Sequence, residues 1–228
     1  EIGNPDIRPE YIHSYELNYK KNIGEQVLQS SLFYRSRKDK IERLRVPYEA
    51  GVTLDSMANV GNDHALGMEL SGQFIVNKWW NLNVNGNVYY YKVVNNINSG
   101  GKEETSTNYD ITVNNLLRIC KNTRIQLDGN FVGPSVTTQG RSDSFWFVNL
   151  AIRQQWFGSN LQSTLSFRDI FNSARYKNDI TTPNLESVTH IRPKFPVITL
   201  SISYTFNHFK RSSQNSRDNR DLFEGVNH

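Results

Sequence analysis

Cysteine is nearly absent: Cys120 is the only one in 228 residues, so no internal disulfide framework can hold the chain together. No apolar run approaches the roughly 18 residues that a membrane-crossing helix requires. Crossing by helices is therefore excluded, but crossing by strands is not, because a barrel strand needs about 9–11 residues with every second one apolar. The mean hydropathy of -0.60 is blind to such alternation. No surplus of charge points to nucleic acid. The net charge is +4, and the basic residues are scattered rather than clustered. The nearest thing to a run is Arg35, Arg37, Lys38, Lys40, Arg43 and Arg45. Catalytic signatures are missing as well: no G-x-S-x-G, Walker or dinucleotide-binding motif occurs. The histidines His13, His64, His190, His208 and His228 show no metal-ligand spacing. Gly100-Gly101, beside Asn98 and Ser99, is a loop tip and not a phosphate cradle. Nothing here requires an enzyme, a metal or a cofactor.

What is present is aromatic and alternating. Tyr, Phe and Trp make up 12% of the chain, which argues against disorder. Trp80, Leu82, Val84, Val88 and Tyr90 alternate with Asn81, Asn83, Asn85 and Asn87, the period of a strand with one apolar face. Ile198, Leu200, Ile202, Tyr204 and Phe206 alternate in the same way with Thr199, Ser201, Ser203 and Thr205. The rhythm recurs along the chain, and no comparable stretch shows a helical period. The chain reads as all-β, with long strands at roughly 11–20, 25–45, 62–77, 80–94, 107–119, 123–133, 144–157, 160–169 and 194–206.

The connections carry the architecture. Tight turns at Lys21–Gly24, Lys78–Trp79, Lys121–Asn122 and Gly158–Ser159 alternate with long polar segments at 46–61, 95–106, 134–143 and 170–193. A soluble sandwich has no reason to keep all long loops at one end, whereas outer-membrane barrels have short periplasmic turns and long external loops. We expect an antiparallel up-and-down meander of about nine or ten long strands, the C-terminal segment of a transmembrane β-barrel. Nine is odd, and single-chain bacterial barrels have even strand numbers, so a preceding strand is expected outside this sequence. Residues 1–207 are expected to form the barrel part, and 208–228 a flexible charged tail.

Two segments carry a family resemblance. Asn4-Pro5-Asp6-Ile7-Arg8-Pro9-Glu10, followed by Ser14-Tyr15-Glu16-Leu17, resembles the "NPxLxPE…SYELG" signature of TonB-dependent outer-membrane receptors. Arg168-Asp169-Ile170-Phe171-Asn172 is similar to the "DxFN" motif near the top of a late strand. The final strand, ending in Phe206, resembles the terminal targeting strand of outer-membrane proteins, although the sequence continues to His228. The subgroup it most resembles is the outer membrane protein β-barrel receptors. The resemblance implies a barrel of about 22 strands, an N-terminal plug domain outside this sequence, and through it an inner-membrane energising complex. It also implies outer-membrane lipid around the wall and an extracellular ligand whose identity it leaves open.

Several constellations follow. Trp79, Trp80, Trp156 and Phe157 at turns, and Tyr89, Tyr90 and Tyr91 at the opposite end, are placed as interfacial aromatics. By strand parity Glu16, Arg35, Glu69, Arg118, Arg124, Asp128, Arg153 and Arg168 fall opposite the apolar stripe. They are expected to face a lumen, pairing with one another or with the plug, because a charge facing lipid costs roughly 2–4 kcal/mol. Asp169 and Asn172 read as local backbone partners where a strand becomes a loop. Candidate ligand contacts lie in the expected outer loops: Asp63, His64, Arg141, Asp179 and His190. The functional expectation is energised uptake of an extracellular ligand. A structural or adhesive barrel without energised transport, or a soluble β-sandwich binding module, would be the alternatives.

Overall fold

A computed structural model of the chain describes residues 3–49, 51–95, 102–157 and 160–206. The expected tail at 208–228, the glycine-rich tip at 98–101 and the turn at 158–159 lie outside the described residues. Among the described residues there are thirteen strands: β1 Tyr11–Ile23, β2 Gln26–Glu49, β3 Val52–Asn77, β4 Trp80–Asn95, β5 Lys102–Cys120, β6 Thr123–Val132, β7 Ser135–Val136, β8 Gly140–Ser142, β9 Phe145–Trp156, β10 Leu161–Arg168, β11 Tyr176–Thr182, β12 Leu185–Ile191 and β13 Val197–Tyr204. Nine of them form one sheet in the order β1-β2-β3-β4-β5-β6-β9-β10-β13, and β12-β11-β8-β7 form a second. Every pairing is antiparallel. The large sheet is the expected meander of long strands, with β1 and β13 as its edges.

Period two decides the faces. Strand register carries one parity class across the whole sheet: Tyr15↔Tyr34↔Leu66↔Tyr90 and Leu127↔Leu150 lie on one side. Leu17, Leu66, Leu200 and Ile202 are all more than half exposed there. An apolar surface of this extent on a nine-stranded sheet has no place in water, and it matches the band that a barrel turns to lipid. The other side is mostly polar, with apolar residues such as Phe33, Leu116 and Phe147 set among its amides and charges. Aromatic rings edge the apolar side at both ends. Trp80 Nε1 donates to Asn115 Oδ1 (3.1 Å) and Trp156 Nε1 donates to Ser163 Oγ (3.0 Å) near the short turns. Tyr90, Tyr109 and Trp146 sit near the other end. The three consecutive tyrosines do not all belong to this girdle. Only Tyr90 faces outward; Tyr89 and Tyr91 alternate onto the polar side, as pleating requires.

The turns at 78–79 and 121–122 are as tight as the sequence indicates, and the one expected at Lys21–Gly24 lies at 24–25 because β1 runs on to Ile23. Asn77 Oδ1 accepts from Trp79 N and Trp80 N (3.0 and 2.9 Å) and closes the turn at 78–79, a local role that Asn side chains favour. The long connections differ from expectation. Residues 46–61 are not a loop: β2 and β3 continue as a two-stranded ribbon, paired from Ile41↔Asn59 to Glu49↔Val52. The neighbouring strands stop at Lys38 and Gly61, so the ribbon projects beyond the sheet. Nine residues at 3.3 Å each extend about 30 Å. Segments 134–143 and 170–193 are likewise not plain loops, since they supply β7, β8, β11 and β12. Part of 95–106 is strand too, because β5 begins at Lys102. Burial is concentrated at this loop end, around Val60, Val93, Leu44, Asn95 and Val136, rather than mid-sheet.

Candidate functional site

The polar face is the surface on which chemistry can act. All eight charges assigned to it by parity lie there by register. Row by row, Ser31↔Glu69↔Asn87↔Asp110 and Asn114↔Asp128↔Asn149 cross the sheet. Asn81, Asn83, Asn85 and Asn87 form an amide ladder along β4. A groove of about 510 Å³ on this face is lined by Asn18, Ser31, Glu69, Asn85, Asn87 and Asp110. Its lining of amides, hydroxyls, two carboxylates and Lys20 suits hydrogen-bonding groups.

At the loop end the charges form a closed network. Asp63 is buried, with 3% of its surface exposed. It accepts a hydrogen bond from Tyr91 Oη (2.8 Å) and pairs with Arg37 Nε (3.3 Å) and Lys40 Nζ (3.4 Å). Lys40 Nζ also donates to Tyr91 Oη (2.8 Å) and pairs with Glu42 (3.1 Å), while Arg37 reaches Glu10 (3.5 Å). Glu10 in turn accepts from Ile41 N (2.9 Å). The segment preceding β1 is thereby held against β2. Phe33 and Tyr89 pack beneath at 6.1 Å. Tyr89 lies across Gly67, where a Cβ would come within 2.3 Å of the Tyr89 Cβ.

The five candidate ligand contacts separate into two groups. Asp63 and His64 are in β3, not in a loop, and as strand neighbours they project to opposite faces. His64 Nδ1 bonds Tyr34 Oη (3.1 Å) on the apolar side, so the two residues cannot share a ligand. Arg141, Asp179 and His190 do come together, on one face of the small sheet, through the pairs Asp179↔Arg141 and Lys177↔His190. Lys177 Nζ bonds Asp179 Oδ2 (2.7 Å) and approaches Asp143 (3.5 Å). The bond to Asp179 holds the Lys177 ammonium above its ordinary range, against a smaller opposing effect of burial.

The small sheet is fastened to the ribbon by a residue that the sequence reading did not single out. Gln139 Oε1 accepts from Arg45 N (2.9 Å), and its Nε2 donates to Arg45 O (3.0 Å). One side-chain amide thus mimics a strand neighbour. Asn95 Nδ2 donates to Thr138 O (2.8 Å) alongside. On the ribbon, Arg45 forks onto Asp55 (2.8 and 3.0 Å). That fork holds the Asp55 carboxyl below its ordinary range. Just beyond β10, Asp169 and Asn172 adopt left-handed backbone, with φ of 49° and 51°. Asp169 Oδ1 accepts from Ser173 N and Oγ (2.9 and 3.0 Å), and Oδ2 accepts from Ala174 N (2.9 Å). Its role is the local one expected.

At the turn end, Arg118↔Arg124↔Arg153 stand directly opposite one another across β5, β6 and β9, and Thr164 and Ser201 continue the row. A second feature missed in sequence, this row depends on a bulge between Arg118 and Cys120. Without that bulge, a turn at 121–122 would pair Arg124 with Ile119. A depression of about 140 Å³ lies here, lined by Leu116, Arg124, Gln126, Ala151, Arg153 and Thr164.

Three comparisons bear on this arrangement. The family model "Outer membrane protein beta-barrel family" matches residues 1–204. No curated protein matches the sequence. Among solved structures, the FrpB iron transporter from Neisseria meningitidis (F3-3 variant) is similar over 87% of this chain and 32% of its own, at 16% identity and a TM-score of 0.58. The ferric yersiniabactin uptake receptor FyuA from Yersinia pestis is similar over 85% of this chain and 29% of its own, at 19% identity and the same TM-score. The chain thus spans about a third of the length of these structures, and the likeness is one of fold.

Proposed function

This chain belongs to the outer membrane protein β-barrel family, and from that premise we propose that it forms part of the wall of a receptor for energised uptake of an extracellular ligand. The observation that carries this reading is the division of one continuous sheet into two chemically opposite faces. Lipid takes the apolar face, and a wide aqueous interior takes the polar one, with its groove of amides and carboxylates. Short turns then lie at the periplasmic side, and the ribbon and small sheet stand outside the cell. Recognition is assigned to that external assembly and to the upper polar face, because binding residues on a rigid wall sit at its loops. The charged face of Arg141, Lys177, Asp179 and His190 offers contacts of both signs. The segment supplies wall and recognition surface and performs no catalysis. A plug domain and an inner-membrane energising complex are the partners this reading requires.

Iron-chelate uptake is the first activity to test, since both similar structures carry iron or ferric compounds in their descriptions. Cells with and without the gene would be given radiolabelled ferric chelates, in the presence or absence of a protonophore. Gene-dependent accumulation that collapses with the protonophore is the expected result. Gene-dependent accumulation that the protonophore leaves unchanged would identify a passive channel instead. Deletion that abolishes surface attachment while leaving uptake intact would identify an adhesive barrel.

A further inference from the structure

We infer that the arginine row at the turn end is a binding site for a multivalent oxyanion inside the barrel. The inference rests on the reading that the polar face lines an aqueous interior. Arg118, Arg124 and Arg153 occupy directly opposed positions on three adjacent strands, where side chains stand about 5 Å apart and like charges oppose each other. Among the described residues no carboxylate forms an ion pair with any of the three. The carboxylate on the same face of β6, Asp128, lies four residues from Arg124, about 13 Å along the strand, and is bonded by Gln126 Nε2 (2.8 Å).

The charges at the other end of the face are handled differently. There Arg37 and Lys40 share Asp63, Glu10 and Glu42 at 3.1–3.5 Å. A sheet that pairs Arg37 and Lys40 with carboxylates at one end and lines up three guanidiniums at the other leaves room for a counter-charge from outside the wall. The neighbouring donors fit that role. Gln126 and Thr164 join Arg124 and Arg153 around the 140 Å³ depression, with Ser201 next in the row. Guanidinium forks bind the paired oxygens of phosphate-type and carboxylate groups. Three forks side by side favour an anion with more than one charge. Charge complementarity therefore selects a soluble oxyanion such as a diphosphate over a neutral or cationic solute.

The test uses the native full-length protein in a neutral detergent free of phosphate, with inorganic pyrophosphate as probe, read by calorimetry and by the shift in melting temperature. No energised transport is involved, so the outcome is independent of whether the receptor drives uptake. Wild type is expected to bind pyrophosphate with an affinity that weakens as salt is raised, and to melt at a higher temperature with it. The double change Arg124→Gln and Arg153→Gln should weaken binding at least tenfold while leaving the fold intact, since it relieves repulsion. Arg35→Gln, at a guanidinium already paired with Glu16 at 3.1 Å, should leave binding within about twofold. Failure of wild type to bind would overturn the inference and assign the row to an acidic segment of the same protein. Equal binding by wild type and the double variant would overturn it as well.

Discussion

Arg37 and Lys40, at the loop end of the polar face, sit among carboxylates, whereas at the turn end three guanidiniums lie side by side with no carboxylate partner among the described residues. The paired end is also the buried end, and this coincidence is instructive. Taking Asp63 and most of Lys40 away from water is tolerable only because they pair with each other and with the wetter Arg37, since the desolvation of an unpaired ion amounts to several kcal/mol. The turn-end arginines remain wetter, with Arg118 and Arg153 exposed, so repulsion between them is softened by water and salt. One end of the face is a structural clamp, and the other keeps its charge available.

Five measurements would break or sharpen that contrast. The largest effect is expected at Asp63→Asn, which removes the buried carboxylate shared by Arg37 and Lys40, leaves them only Glu10 and Glu42, and should lower stability by on the order of 3 kcal/mol. Melting in detergent, followed by the loss of heat-resistant migration on gels, reads it directly. A change below a few tenths would show that the clamp is not structural. Asp169→Ala removes the acceptor of three donors and should cost about 2 kcal/mol, read as faster proteolysis after β10.

Asp169 also gives a pH signature. Burial acts to raise its carboxyl, but the Ser173 and Ala174 amides and the Ser173 hydroxyl together hold it below its ordinary range. A depressed folded-state value means stability that is present above about pH 4 and is lost as pH falls through the folded value. The stability difference between wild type and Asp169→Asn should stay constant from neutral pH down to about 5 and narrow below about 4. A difference that widened with acid would contradict this geometry.

Smaller effects come from the exposed charges, and their signs differ. Arg153→Gln should raise the melting temperature at low ionic strength, with a gain of a few tenths of a kcal/mol that fades in salt. A loss would mean that the row is already neutralised. Glu16→Gln breaks a pair with Arg35 in which both side chains are more than 40% exposed, and should cost less than about 1 kcal/mol.

The wall was legible in sequence because a sheet between lipid and water must alternate, and Trp80–Val94 or Ile198–Phe206 can alternate in only one way. Parity along single strands then placed Glu16, Arg118 and Arg168 correctly. The ribbon was not legible for the same reason. With water on both sides, Ile41–Glu49 and Val52–Asn59 need no apolar face, and pairs such as Arg45–Asp55 hold them instead. The triple tyrosine shows the limit of composition, because the ring type suits the interface while parity sends Tyr89 and Tyr91 to the opposite side. The arginine row needed cross-strand register, which one bulge shifts. Asp63 needed knowledge of its neighbours across two strands.

The irregularity between Arg37 and Ile41 has its own consequence. Asp39 there is left-handed, with φ of 54°, its carbonyl accepting from Asn59 Nδ2 (2.7 Å) and its carboxylate pairing with Arg8 (3.0 Å). The polar parity of β2 changes there, from odd at Arg35 and Arg37 to even at Lys40 and Glu42. This joint works as a clutch between two gear trains: residues can be added to or removed from the outer arm without turning any lipid-facing side chain inward. The ribbon can thereby vary in length while the apolar pattern of the sheet stays in phase, and it is the natural place to graft an epitope into this wall.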